Sequence, residues 1–568
     1  MSELKKIVEN IKNKNFINAL KLCEIYKNEK NKHIIFNLKG VIFLSQNKFE
    51  EAEINFLESQ KINDAFIDPV KNLFLMYFKK NDSKKILIYA KKLVQMDKLN
   101  PVFNYQLGFA LEQNFIFDEA IKYYKNCINY NGKDKIKALN NIGVIYSNTN
   151  KIKMSIPFFL EALKLNENDK FVVNNLLSNY LKLRDEKNSD IFFKKALNID
   201  QNFIYFLYNK AEYLILKGQI ESAIEILDSN KKELKFLIRL VKIYFTIGEK
   251  NKAQKLLHEL KEIKSDNPDL LNFLGMRYLY EGDFDNGWKY YENRPTKLKN
   301  SFKDIKEWNG EKITNKNIAV YSEQGLGDAI QFSKYIIPLL KVSKNVDFLV
   351  QKKIINLFKK DIPNLRINTL DYNQEGKFEY KIALGSLIKF FYEEKFDSND
   401  SIINHKDKFS KISINNFDKK KLNVGIAWSG SFNGPNEPYR SIPLKSLKKI
   451  FTLDINFFSL QNEIWQRDLD TYNSTKMINL GNYSLNEIAS IIPDLDLVIS
   501  SDTSLLHLSA SLNKETWGIL NLDPDWRWGE FNKINPYNSL KLFHQKKFNE
   551  WEDVENDVFN NLKKKLIN

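Results

Sequence analysis

The segment Ala138-Leu-Asn-Asn-Ile-Gly-Val-Ile-Tyr-Ser-Asn-Thr-Asn-Lys-Ile-Lys-Met-Ser-Ile-Pro-Phe-Phe159 sets a pattern: Tyr146 stands three residues after Gly143, and Ser155 twelve residues after it. Working outward in both directions, the same spacing returns. Gly40, Gly108 and Gly275 are followed three residues on by Phe43, Leu111 and Tyr278, and twelve on by Ala52, Ala120 and Gly287. Ala19, Ser189, Ala223 and Ala253 fall in the same register, with Ile86 as the exception. Successive steps along this ladder are 33, 34, 34, 35, 34, 34, 30 and 34 residues. A period of that size marks stacked helical hairpins, about nine of them up to Pro295. The small residues fit where two helices cross. The large ones that come after them (Phe56, Tyr124, Phe159, Leu227, Leu257, Tyr291) are expected to fill the gap to the next hairpin.

This half of the chain resembles the tetratricopeptide repeat, with degenerate copies near Ile86 and Ser189. The resemblance implies an all-α superhelix with a concave face that holds a peptide, a protein or a neighbouring subunit. A purely structural spacer is the alternative. The aromatic run Gly282-Asp-Phe-Asp-Asn-Gly-Trp-Lys-Tyr-Tyr-Glu-Asn-Arg294 closes the last hairpin and is read as a cap that docks onto the next domain.

The chain has 568 residues, 43% hydrophobic, with 13 Pro and 20 Gly, which suits packed domains and not a disordered polymer. No apolar run reaches the roughly 20 residues needed to span a bilayer, and the polar start carries no apolar leader, so a cytoplasmic location is expected. Cys23 and Cys127 lie on hairpin core faces in this register, which excludes a disulfide framework and a cysteine zinc site. The formal charge of +16 comes from lysines scattered among Asn and Ile, as an AT-rich genome writes a solvated surface. That charge also suits an anionic substrate, but no nucleic-acid recognition motif accompanies it.

From Asn317 the period changes. Ile318–Tyr321, Val346–Val350, Tyr380–Leu384, Asn423–Trp428, Phe457–Leu460, Asp496–Ile499 and Thr516–Leu520 are short β-rich runs separated by amphipathic stretches. Such alternation predicts parallel sheets with crossover helices. The expected organisation is a repeat array over 1–295, a junction over 296–316, one Rossmann-like lobe over 317–400, a polar hinge over 401–421 and a second lobe over 422–568. Ligands of such lobes sit at the carboxyl ends of the strands.

Two strand-to-helix turns carry chemistry. Tyr321-Ser-Glu-Gln-Gly-Leu-Gly-Asp-Ala-Ile-Gln331 holds Gly325 and Gly327 but has Ile330 where a dinucleotide fingerprint has its third glycine. Taken alone, Asp328 there is either a functional carboxylate or the cap of the following helix. Ile499-Ser-Ser-Asp-Thr-Ser-Leu-Leu-His-Leu-Ser-Ala-Ser511 offers backbone N–H groups at Thr503, Ser504 and Leu505 to a diphosphate, with His507 one turn in.

Those turns, together with Gly425-Ile-Ala-Trp-Ser-Gly430, Arg440-Ser-Ile-Pro-Leu444, Ser459-Leu-Gln461 and Pro524-Asp-Trp-Arg-Trp528, resemble bacterial tetratricopeptide glycosyltransferases related to heptosyltransferases. The resemblance implies a GT-B fold with the acceptor in the first lobe and a nucleotide sugar in the second. It also implies inverting, metal-independent hexosyl or heptosyl transfer with no cofactor. It makes Asp328 the general base, and gives Arg440, Asp502, Thr503, Ser504, Leu505 and His507 the donor phosphates and sugar. Ser504 stands where relatives often have Gly. Gly325, Gly327, Trp428, Gln461, Trp526 and Arg527 are expected at nucleotide or sugar, with lobe packing the other reading of Trp526-Arg-Trp528. Asp494-Leu-Asp496 reads as a helix end and strand start, not a metal dyad. A protein or glycan acceptor is the expected partner. A catalytically inactive scaffold acting through the repeats is the alternative.

Overall fold

The structure, a computed structural model, describes residues 3–567 apart from 150, 299–304, 373–376, 397–400, 404–419, 433, 435–436 and 535–536. The chain divides into two compact units, Met1–Gln219 and Ile220–Asn568. Most of the segment expected as a hinge, and part of the junction, lie outside the described residues. Residues 401–403 are described, and they dock on the first lobe: Ile402 and Ile403 are buried, and Ile403 bridges to Phe358.

The first unit is all-α. Among the described residues it holds thirteen helices, from Glu3–Lys12 to Ile204–Leu216. Polar side chains start many of them: Asp82 accepts from the Lys85 N–H, Asn100 from those of Val102 and Phe103, and Asp169 from those of Phe171 and Val172. Each such cap is worth about 1 kcal/mol. Asn47, Asn81 and Asn131 take positive φ at helix ends, where a short polar side chain tolerates the left-handed conformation. Cys23 and Cys127 are buried free thiols, and burial pushes both up to about 11.

The ladder glycines have a sharper role than their register suggests. A Cβ on Gly40 would lie 2.5 Å from the Phe56 ring, one on Gly108 2.7 Å from Tyr124, and one on Gly143 2.6 Å from Phe159. The large residue sixteen positions on therefore seats its ring on the glycine of its own hairpin, because only a missing side chain leaves room for it. Gly275, in the second unit, differs. Its Cβ would meet the backbone nitrogen of Tyr291 at 2.5 Å. Gly143→Ala is expected to cost about 1–3 kcal/mol through displacement of a ring, partly offset by about 1 kcal/mol of helix propensity. Gly275→Ala meets main chain that cannot rotate away, so its melting temperature should fall further than that of Gly143→Ala.

Among the described residues the second unit begins with six helices, Ile220–Ser229, Leu234–Thr246, Lys250–Glu262, Pro268–Glu281, Phe284–Tyr291 and the short Pro295–Leu298. Two parallel sheets come next. The first contains β1 (Lys306–Glu307), β2 (Ile313–Tyr321), β3 (Ser343–Val350), β4 (Leu365–Thr369) and β5 (Tyr380–Ala383) in the order β1-β5-β2-β3-β4. The second contains β6 (Asn423–Ala427), β7 (Asn456–Ser459), β8 (Ile478–Asn479), β9 (Leu497–Ser501), β10 (Thr516–Leu520) and β11 (Leu540–His544) in the order β11-β10-β9-β6-β7-β8. Both have the doubly wound topology of Rossmann-like lobes. An all-α repeat array thus precedes an α/β pair of lobes of GT-B type. β1 and the start of β2 fall before Asn317 because β1 is too short to show a period.

Packing joins the last hairpins to the lobes. Trp288 and Tyr291 belong to the same buried cluster as Phe332, Ile382, Trp526 and Phe531. The Trp288 and Trp526 rings meet edge to face at 5.6 Å. Arg277 donates to Asp523 at 2.8 Å while its guanidinium lies 3.5 Å from the centre of the Phe245 ring. Gly529 lets its turn press against the Tyr280 carbonyl.

Candidate functional site

Strand β2 ends at Tyr321, and the turn after it is held from three sides. Arg294 is 3% exposed. Its Nε donates to Glu323 at 2.8 Å, its Nη2 to Ser386 at 2.8 Å and its Nη1 to the Tyr291 carbonyl at 3.2 Å. Gln324 donates to the Tyr291 hydroxyl at 2.7 Å, and Gln351 donates to the Gln324 carbonyl at 2.8 Å. A Cβ at Gly385 would strike Gln324 and Glu323, so the network also depends on that glycine. The result is a rigid mount for the helix Leu326–Phe332, capped by Gly325, with Asp328 in its first turn.

Asp328 serves as more than a cap. Its Oδ2 accepts from the Gly325 N–H at 3.0 Å, and its Oδ1 accepts from Arg527 Nη2 at 2.7 Å. Arg527 comes from the other lobe and also pairs with Asp525, Nε to Oδ1, at 3.1 Å. Gly327 is inside the helix, where its bare Cα faces His507 and Ser504: a Cβ would lie 3.0 Å from His507 Cδ2. The second glycine of the motif therefore lets the two lobes approach each other.

Across that contact, β9 ends at Ser501 and the helix Ser504–Ser511 begins. Thr503 is its cap, accepting from the Leu505 N–H at 3.3 Å, and Thr503, Ser504 and Leu505 are half-buried at the mouth. His507 is buried, stacked on Trp528 at 5.5 Å between ring centres. Its Nε2 lies 3.5 Å from Asp502, and its Nδ1 lies 3.2 Å from the Tyr537 hydroxyl. Burial alone would raise the Asp502 carboxyl, but the His507 hydrogen bond and the charges of Arg527 and Arg440 hold it well below the usual carboxylate range. Asp525 goes the other way: burial raises it, and the neighbouring charges of Asp502 and Asp328 add to the rise against Arg527. Arg440 pairs with Glu437 at 3.2 Å beside Gly430 and Gly434, whose missing side chains make room for the guanidinium.

Asp328, Gly327, Arg527, Asp502, Thr503, Ser504, Leu505 and His507 thus meet at one place, with Arg440 near enough to act on Asp502. Three other residues expected at a ligand also have partners within the fold. Trp428 is fully buried and donates to Asp468 at 3.1 Å. Gln461 accepts from the Ser429 N–H and donates to the Glu463 carbonyl, both at 3.1 Å, so it braces the turn after β6. Trp526 packs among Trp288, Tyr291, Phe332 and Phe531 and also lines the cavity beside Asp525. Asp496 accepts from the Asn423 N–H at 2.7 Å, tying β9 to β6.

Sequence reasoning misses Arg294, Glu323, Asp525 and Tyr537. It also misses Lys334, which burial lowers to about 8 and which lies 4.8 Å from the centre of the Phe396 ring. A usable signal exists. Arginine is scarce in this lysine-rich chain, eight in all, and Arg277, Arg294, Arg440 and Arg527 are four of them. Guanidinium geometry is retained where bidentate pairing matters and lysine will not serve. A cavity of about 220 Å³ opens next to Asp525 at the carboxyl end of β10, and its far wall is Lys242, Phe273, Arg277 and Tyr280 from the last hairpins.

Comparison with known proteins agrees with this division. The glycosyltransferase family 9 (heptosyltransferase) profile matches residues 458–556, and a tetratricopeptide repeat profile matches 136–169 and 172–203. A TPR repeat-containing protein of Methanocaldococcus jannaschii is 24% identical over 334 residues, covering 55% of this chain and 57% of that protein. Protein FlbA of Caulobacter vibrioides is 19% identical over 276 residues, covering 45% and 42%. The chain spans about half the length of the curated relatives it matches. Among solved structures, a tetratricopeptide repeat protein from Parabacteroides merdae is 13% identical, covers 40% of this chain and 91% of its own, and has a TM-score of 0.35. Among the described residues no helix is long and apolar enough to cross a membrane. Residues 136–203 of the chain thus match tetratricopeptide repeats, and residues 458–556, in the second lobe, match the glycosyltransferase family 9 (heptosyltransferase) profile.

Proposed function

We propose that this protein is an inverting, metal-independent glycosyltransferase that moves a sugar from a nucleotide sugar to a protein or glycan acceptor presented by the repeat array. The observation that carries the reading is the meeting of Asp328, on one lobe, with Asp502, Thr503 and His507, on the other, through Arg527. The acceptor oxygen attacks the anomeric carbon from the Asp328 side and its proton passes to that carboxylate. The bond from the anomeric carbon to the diphosphate oxygen breaks, and its electron pair leaves with the nucleoside diphosphate. The N-terminal turn of the helix Ser504–Ser511 and the guanidinium of Arg440 offset the charge that develops there. The wall that Lys242, Arg277 and Tyr280 contribute to the cavity beside Asp525 supports an acceptor entering from the repeat side.

Titration with UDP, GDP, ADP, CMP and dTDP sugars tests the donor class. Once a donor is found, NMR of the product should show the opposite anomeric configuration, formed at an unchanged rate in excess EDTA. A retained configuration or loss of turnover in EDTA would overturn the mechanistic assignment.

A further inference from the structure

Arg527 contacts Asp328, the base proposed above, and its guanidinium occupies one of the two carboxylate oxygens. A carboxylate whose Oδ1 holds a guanidinium at 2.7 Å and whose Oδ2 holds the Gly325 N–H at 3.0 Å has both oxygens engaged. A hydroxyl that approaches Oδ1 must share that oxygen with the guanidinium. The guanidinium is also surrounded by acid. Asp525 pairs with its Nε, and its charge reaches Asp502. Its side chain is 11% exposed, and its guanidinium carbon lies 5.6 Å from the ring centre of Phe332 and 5.9 Å from that of Trp526.

We infer that Arg527 is a positioning residue for which Asp328 and the donor diphosphate compete. The inference rests on the donor site proposed above. A diphosphate seated at Thr503 and Ser504 arrives next to Asp502, within the field of Arg527, and offers a guanidinium more charge and a bidentate match than one carboxylate oxygen. When Arg527 turns to it, Asp328 loses its partner at Oδ1 and keeps the one at Oδ2. The base is then free but still oriented. Donor binding uncovers the base, so the donor precedes the acceptor.

Competition for one cation is reciprocal: whatever Asp328 takes from diphosphate affinity, removing its charge returns. The test is calorimetric titration of the full chain with inorganic pyrophosphate and with UDP, GDP, ADP, CDP and dTDP. Asp328→Asn should tighten pyrophosphate binding on the order of tenfold. Arg527→Gln should weaken it, and in the Arg527→Gln background the gain from Asp328→Asn should vanish. A gain that persists without Arg527 is a plain field effect and overturns the inference, as does no gain at all. If a nucleoside diphosphate binds the unaltered chain while Asp328→Asn changes nothing, the competition is wrong and the donor site stands. If no diphosphate binds either protein, both fall. Should Arg527→Gln fail to fold, Arg527→Lys decides: an ammonium lacks the bidentate match to a diphosphate, so pyrophosphate binding should weaken and the gain from Asp328→Asn should shrink in that background. An undiminished gain overturns the inference.

Discussion

Asp328→Asn should lower the turnover number for sugar transfer by about 10²–10⁴-fold, the range that general-base catalysis contributes, without weakening donor binding. The amide oxygen keeps an acceptor for the Gly325 N–H, so the first turn of the helix Leu326–Phe332 stays capped and the lobe keeps its fold. What is lost is the ability to take a proton from the acceptor hydroxyl. Steady-state kinetics with the donor varied separates the two effects. A fall in turnover at unweakened donor affinity supports the role, whereas turnover within a few-fold of the unaltered protein would remove Asp328 from the chemistry.

Arg294→Met is expected to have the largest effect on stability, about 3–5 kcal/mol, the cost of leaving one partner of a buried ion pair alone. Glu323 is 4% exposed at its side chain and would lose both the Nε and Nη2 contacts. Arg294→Met/Glu323→Leu should recover much of the loss, because an apolar pair carries no uncompensated charge. The same cluster predicts acid sensitivity. Burial would raise Glu292, but Arg294, Lys297 and Lys389 together bring it down to about 2. A carboxylate lowered in the folded chain contributes stability that is present above its unfolded value near 4.5 and is lost as the pH falls towards 2. Melting curves from pH 7 to pH 3 should therefore converge for Arg294→Met and the unaltered protein, since part of what the substitution removes is already lost in acid. A melting temperature for Arg294→Met within about 1–2 °C of the unaltered chain at pH 7 would show that the network does not hold the two regions together.

How each element is buried decides whether the sequence makes it legible. β6, β9 and β10, and the carboxyl-terminal halves of β2 and β3, are buried on both faces and read directly as strands. β4 and β11 lie at sheet edges and are only partly buried, so no apolar run marks them; β1 and β8 are two residues each. The helical repeat is readable because the ring-on-glycine contact recurs at the same spacing, as at Gly40, Gly108 and Gly143. In the site, Asp328 and the turn from Asp502 to His507 can be found because each sits in a local strand-to-helix turn. Arg294 to Glu323 and Arg527 to Asp328 span 29 and 199 residues, and nothing local marks either pair. Trp428 and Gln461 stand at the carboxyl ends of strands, where ligands bind, and their polar atoms also brace the turns themselves.

The most direct test of the central claim, that the two lobes form a nucleotide-sugar site, is calorimetric titration of the full chain with UDP, GDP, ADP, CMP and dTDP sugars. One donor class should bind with a stoichiometry of one, and His507→Ala should weaken it by about tenfold or more, as expected for loss of a buried hydrogen-bonding contact. Binding of none of them, or binding unchanged in that variant, would contradict the account.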